Sequence, residues 1–296
     1  MSGQLIVSGG RYGLLMTENA AEGAASSPWY LPADTEVAYY GEYQLTVVRH
    51  AGSRAGSHAG SHAGSHAGSR AGSRAGSGAG SGGPASGVAH DARLPAHDPA
   101  AARAFTEAFG TVEKVLADLG TVPATEGFMA ETRADLELVR VGCWGDVIEI
   151  ADPGLVHCNG GFPVNDEAEA LAERFPDAVV IASCTIDYNM TYGAWKIIHP
   201  GGARVFAAGW AGEDDWDFDG SVADVVTAFG ITARDCAEAD VDLDEKVRSF
   251  YWGGLCDLAQ AKVSPLHRAG RELSVFRVAH TEEAVADMEE IWLGDD

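Results

Sequence analysis

A chain of 296 residues with 46% apolar content is long enough to bury the core of one or two domains and too apolar for intrinsic disorder. Its formal charge of −24 comes from 44 acidic against 20 basic residues, of which only Lys114, Lys196, Lys246 and Lys262 are lysines, and this balance repels phosphate backbones and excludes nucleic-acid binding. Every apolar run is shorter than the roughly 18 residues needed to cross a bilayer, and the opening MSGQLIVSGGRYG has no basic start followed by a long apolar stretch, so neither a membrane span nor a secretory signal is expected.

Acid-rich, lysine-poor composition suits a cytoplasm at molar salt, where the Debye length falls to about 3 Å and surface repulsion is screened. The competing reading is a GC-rich genome, whose codons favour Ala, Gly, Arg and Asp. Five cysteines, Cys143, Cys158, Cys184, Cys236 and Cys256, are odd in number and never form a C-x-x-C pair. They read as reduced, half-buried thiols of a cytoplasmic protein, not as a disulfide framework or a zinc ribbon.

Along the chain, QLIVSG and YGLLMT flank Gly9-Gly10-Arg11, and EVAYY and YQLTVV flank Gly41-Glu42, which predicts two β-hairpins within residues 1–49. So short a β segment is marginal alone and is expected to pack on the C-terminal region. From His50 to Gly82 the sequence repeats X-Ala-Gly-Ser, with X stepping among His, Arg and Gly. Nothing in the repeat can form a core, so the low-complexity linker of residues 50–95 is predicted to be a flexible, disordered loop, with the repeat spanning roughly 30 Å by square-root scaling. A metal-catching role for His58, His62 and His66 in such a coil would be weak and unselective.

Residues 96–296 form the predicted main domain. Asp98-Pro99 is an N-cap followed by proline, and Phe105, Phe109, Val112, Leu116 and Leu119 then recur at helical spacing, predicting a helix with a buried stripe up to Gly120. Strands follow at Leu136–Cys143 and Val147–Ile150, a helix at Asn165–Phe175 and a strand at Ala178–Ile186. The strands Trp195–His199 and Arg204–Ala208 form a hairpin through Pro200-Gly201-Gly202. A helix at Ser221–Phe229, another from Leu243 to about Leu258, a strand at Leu273–Val278 and a closing helix Thr281–Trp292 complete an α+β reading, with a mainly antiparallel sheet and helices on one face.

Within residues 135–205, Trp144-Gly145 follows a strand, Gly161-Phe162-Pro163 precedes a helix, Phe175-Pro176 ends it, and a hairpin turns at Gly201-Gly202. This stretch, under a third of the chain, resembles the ferredoxin-like domain of the YubB type, a family of small plasmid- and phage-borne proteins. That family's second tryptophan and lysine after Trp-Gly are missing, since the chain continues Asp146-Val147. The resemblance implies a ferredoxin-like core and a mobile-element habitat, and no particular reaction.

The strongest local signal for a site is Asp215-Trp216-Asp217-Phe218-Asp219-Gly220, which matches positions 1, 3, 5 and 6 of a calcium loop. Val222 fits the apolar position 8, but position 12 is Val226 where a bidentate glutamate is required. Asp215, Asp217 and Asp219 are therefore candidate ligands for Ca2+ or another hard cation, against the alternative of an acidic loop in which Ser221 and Asp224 cap the following helix. A second candidate gathers His157, Cys158, Cys143, Cys184 and His199 as soft-metal ligands, against the alternative of cysteines acting as small hydrophobes. No P-loop, dinucleotide fingerprint, nucleophile elbow or H-E-x-x-H is present, and no other cofactor is expected. The expected function is a non-catalytic accessory or binding protein acting through a protein partner, with a metal-assisted enzyme as the alternative. A pocket in which these polar residues converge favours the enzyme, and an open sheet edge or apolar patch the binding protein.

Overall fold

The computed structural model describes residues 29–49, 94–156, 161–188, 190–263 and 268–294. The Gly9-Gly10 hairpin, the X-Ala-Gly-Ser repeat with its histidines, and the pair His157-Cys158 lie outside the described residues. The described strands are β1 (Tyr40–Arg49), β2 (Val112–Pro123), β3 (Leu138–Trp144), β4 (Val147–Ala151), β5 (Ala178–Tyr188), β6 (Met190–Ile198), β7 (Arg204–Trp210), β8 (Trp216–Gly220) and β9 (Glu272–His280). They form one sheet in the order β2-β9-β3-β4-β1-β5-β6-β7-β8, and every neighbouring pair is antiparallel. The chain is thus α+β around an antiparallel sheet, as its alternating runs predict.

Helices α1 (Pro99–Thr106), α2 (Pro163–Arg174), α3 (Val222–Phe229), α4 (Ala233–Glu238), α5 (Trp252–Val263) and α6 (Glu282–Trp292) cover both faces of the sheet, which corrects the expectation of a single helical layer. On one face Leu45, Val47, Val180 and Ala182 pack with α1, α2 and α6; on the other, Val48, Val179, Ile181 and Ile197 pack with α3, α4 and α5. The cause is legible in β5, whose run AVVIA is apolar at consecutive positions. A strand of that kind buries side chains on both sides of the pleat and needs cover on both.

β1 is the middle strand of the nine and pairs with β4 on one side and β5 on the other, Leu45 facing Ile150 and Ala182. Residues before the repeat and residues after it therefore share one continuous sheet. The hairpin predicted at Gly41-Glu42 does not form: Gly41 runs inside β1, in register with Ile186. A Cβ there would sit 2.2 Å from the Thr185 carbonyl oxygen and 2.5 Å from the Trp292 ring, so the glycine serves a close approach and not a turn.

The long helix predicted from residue 98 to Gly120 is also corrected. α1 starts as expected, with the Ala100 and Ala101 N–H groups both donating to Asp98 Oδ1 at 3.0 Å. It ends at Thr106, and Val112–Pro123 is instead the edge strand β2, paired with β9 through three register shifts. Phe105, Phe109 and Val112 are buried as predicted, but Leu116 and Leu119 are 53% and 50% exposed, and Val115 is buried in place of Leu116. Thr111 diverts the chain: its hydroxyl donates to Asp152 Oδ2 at 2.5 Å, and its carbonyl accepts from Thr281 N–H. Tertiary partners here override a helical spacing that is real in the sequence.

Further on, the Leu243–Leu258 helix is displaced to α5, and α4 was not foreseen although Thr232 and Asp235 form a reciprocal capping box. α3 begins as read, with the Asp224 N–H donating to Ser221 Oγ, and ends in left-handed Gly230 at φ 62°. α6 starts where expected, with Thr281 as its N-cap. No described helix is long and apolar enough to cross a membrane.

Candidate functional site

A cleft of about 620 Å3 opens on the α5 side of the sheet, within the range of ligand pockets. Its floor is set by strand register. One row across the sheet runs Glu42, Thr185, Gly193, Gly209, Trp216, and the next runs Gln44, Ser183, Trp195, Ala207, Phe218. Because side chains alternate across a strand, both rows point to the same face, polar on β1 and β5 and aromatic toward β6 and β8. The far wall is the turn Val247–Ser249, the link that follows it and one side of α5, which contribute Arg248, Tyr251, Trp252, Asp257 and Gln260.

The aromatic half rests on two glycines that face each other across β6 and β7. A Cβ on Gly193 would lie 1.9 Å from the Trp195 ring, and one on Gly209 2.6 Å from the Trp216 ring. Each indole therefore lies over a glycine, and the two planes are parallel within 2° at a centroid separation of 6.2 Å. Trp252 packs against Trp195 with centroids 6.5 Å apart, and Phe250 against Trp252 at 4.6 Å. The Trp252 and Trp216 indole N–H groups donate to the carbonyls of Val247 and Trp210, which holds the wall in place.

On the polar half, Gln44 Nε2 is buried and has no hydrogen-bond partner among the described residues. An unmade bond at a buried amide nitrogen costs about 1–3 kcal/mol, so this donor lacks an acceptor that a molecule in the cleft supplies once the half-buried side chain turns toward it. Beneath it, Gln260 Nε2 donates to Thr46 Oγ1 at 3.4 Å. Burial pushes the Asp257 carboxyl up and the Arg268 guanidinium pulls it back. Arg268 itself donates to the buried Glu149 at 3.0 Å, where burial likewise raises the carboxyl against the pull of the arginine. Burial also pushes the Cys256 thiol well above its ordinary value, so no reactive thiolate faces the cleft.

The residues singled out from sequence lie elsewhere. Asp217 and Asp219 belong to β8 and Asp215 immediately precedes it, all three exposed. An extended strand sets alternate carboxylates about 6.6 Å apart along its axis, whereas a calcium loop curls them around one point, so this segment does not fit the ion. Gly220 is left-handed at φ 91°, and a Cβ there would lie 2.2 Å from the Arg204 carbonyl oxygen: the glycine that mimicked a loop position closes the strand instead. Cys143 and Cys184 are free thiols in the sheet interior, and His199 packs edge-on to Phe229 and accepts from Gly201 N–H. Among the described residues no three His, Cys, Asp or Glu side chains are placed to hold a metal ion.

Sequence reading missed the cleft because its residues come from five separate segments. A signal was present: Gly193-Ala194-Trp195 places glycine and tryptophan two residues apart in a strand, and hence on one face, as Gly142-Cys143-Trp144 does in the buried core. A second polar group, Thr111, Asp152 and His280, is sealed on the opposite face, with His280 Nε2 and Asp152 Oδ1 2.9 Å apart and both residues buried. Edge strand β2 is bulged and carries Glu113, Lys114 and Asp118, features that discourage pairing with another chain.

Comparison with the curated proteins and with the solved structures finds no match. The family model DUF6333, described as a family of unknown function, matches residues 28–295. That span takes in the whole described sheet and every residue of the cleft, and the chain belongs to this family.

Proposed function

We propose that this protein is a non-catalytic binding protein whose cleft takes a small, uncharged, ring-containing molecule. The observation that carries this reading is the buried Gln44 Nε2, which has no hydrogen-bond partner among the described residues, on the floor of an aromatic-walled cleft. Preformed apolar walls with a few placed polar groups are the usual make-up of small-molecule sites. Anions are disfavoured by Glu42 and Asp257 in the lining, where Arg248 is already paired with Asp214. This reading replaces a protein partner with a small ligand as the thing recognised.

Two further parts of the proposal concern ancestry and setting. The unit β4-α2-β5 is a split β-α-β arrangement with β1 antiparallel between its two strands, which supports a ferredoxin-like centre to the sheet and kinship with the YubB type of mobile elements. Four buried free thiols and the charge of −24 support a reducing, salt-adapted cytoplasm.

The test is a thermal-shift screen of the full chain against neutral small molecules, beside Ser183→Trp, which plugs the floor. A ligand at 100 times its Kd stabilises the native state by about 2.7 kcal/mol. Shifts seen in the wild type and abolished in the plugged variant support the reading. A screen with no shift, or with shifts that survive the plug, overturns it, and turnover of a ligand overturns its non-catalytic part.

A further inference from the structure

We infer that the ligand of this cleft is a neutral pyranose sugar, an inference that rests on the binding reading above. Three features must be met at once. Gln44 Nε2 supplies a hydrogen-bond donor without an acceptor. Glu42 supplies a carboxylate, and Ser183 and Thr185 supply hydroxyls, that can accept from the ligand on the same floor. Beside them on the same sheet face lie the parallel indoles of Trp195 and Trp216, flat apolar surfaces seated on glycine.

A ligand that answers all three carries hydroxyls, which both donate and accept, around a ring with apolar C–H faces. That is a pyranose. Its hydroxyls accept from Gln44 and donate to Glu42, and a C–H face lies against an indole, burying apolar area on the aromatic side only. Size agrees: Gln44, Ser183 and Trp195 lie in one register row on the floor, and the cleft of about 620 Å3 above it has room for a six-membered ring and its substituents. Charge agrees as well. A phosphorylated sugar or a nucleotide would bring negative charge to Glu42 and Asp257 on a chain of net charge −24, whereas a neutral sugar incurs no such repulsion.

The experiment is isothermal titration calorimetry of the full chain with methyl α-glucoside, methyl β-galactoside, N-acetylglucosamine, maltose and cellobiose, and in parallel with adenosine and uridine, each up to roughly 10 mM, beyond the millimolar end of specific binding. Saturable binding of at least one sugar is expected, weakened at least about tenfold, or 1.4 kcal/mol, by Gln44→Glu, which keeps the shape and removes the donor. Trp195→Phe is expected to weaken it in the same direction, and a circular dichroism spectrum and melting curve like the wild type show that each variant is folded. Binding of a nucleoside without any sugar overturns the sugar assignment and leaves the binding reading standing. No binding by either class overturns the sugar assignment, and whether the binding reading falls with it is decided by the separate thermal-shift screen. Sugar binding that both folded variants leave unchanged places it outside the cleft and overturns the inference.

Discussion

Leu45→Ala and Leu116→Ala remove the same three carbon atoms from the same residue type, and the structure assigns them opposite consequences. Leu45 sits in β1 at the middle of the sheet, 0% exposed, between Ile150 and Ala182 on the flanking strands. Leu116 is 53% exposed on the edge strand β2. Truncating a fully buried leucine costs about 2–5 kcal/mol, from lost transfer energy and the cavity left behind, against a total stability of about 5–15 kcal/mol. At about 2–4 °C per kcal/mol for a domain of this size, a cost near 3 kcal/mol lowers Tm by about 6–12 °C. Leu116→Ala should stay within about 0.5 kcal/mol, a shift of no more than about 2 °C. Thermal and urea unfolding followed by circular dichroism, with the urea slope unchanged, measure both. If the amphipathic helix up to Gly120 were real, Leu116 would lie in the core and its truncation would match that of Leu45. Equal losses, or a negligible loss at Leu45, would refute the sheet order.

Two carboxyls should respond to pH with opposite sign. Burial alone would raise Asp152, but His280 and the hydrogen bonds from His280, Thr111 and Gly154 outweigh it and hold the carboxyl below 3.8; the stability it confers is full above that value and is lost as pH falls through the lower folded one. Asp152→Asn should therefore cost about 3–5 kcal/mol at pH 7, a cost that fades in acid. Asp287 is raised to about 6 by burial and by Glu283 and Glu290, so Asp287→Asn should raise Tm at neutral pH, with the gain shrinking as pH falls through about 6 and gone below 3.8. Raising KCl from about 0.1 M to about 3 M shortens the screening length from about 10 Å to under 3 Å and should raise Tm monotonically, a flat curve contradicting the salt-adapted reading. Millimolar calcium should shift the wild type and Asp217→Ala equally, because β8 is extended; a shift confined to the wild type would restore the cation site. Gly193→Ala should displace the Trp195 ring and change the near-ultraviolet circular dichroism without unfolding the chain, and an unchanged spectrum would count against the glycine-seated platform.

Local and patterned features were legible in the amino-acid order alone. The caps Asp98 and Ser221, the helix start at Thr281, the turn at Pro200-Gly201-Gly202, and the strands around residues 138–151 and 178–186 follow from interactions spanning a few residues, and the structure has them where the pattern puts them. Net charge and the absence of a long apolar run are properties of composition and need no fold. Only tertiary structure decided the rest. Phe105 to Leu119 satisfy a helical spacing, yet Thr111 is claimed by Asp152 and the chain past it by β9, partners about 40 and 160 residues away that no local window contains. Asp215, Asp217 and Asp219 satisfy a ligand spacing, yet pairing with β7 draws them straight. The cleft is the extreme case: Gln44, Ser183, Trp195, Trp216 and Trp252 carry no spacing of their own and become neighbours only through the register of β1, β5 and β6 and the placement of α5. Register is set by side chains packing across strands far apart in the chain, so a binding surface built from it exists only once the whole sheet has assembled.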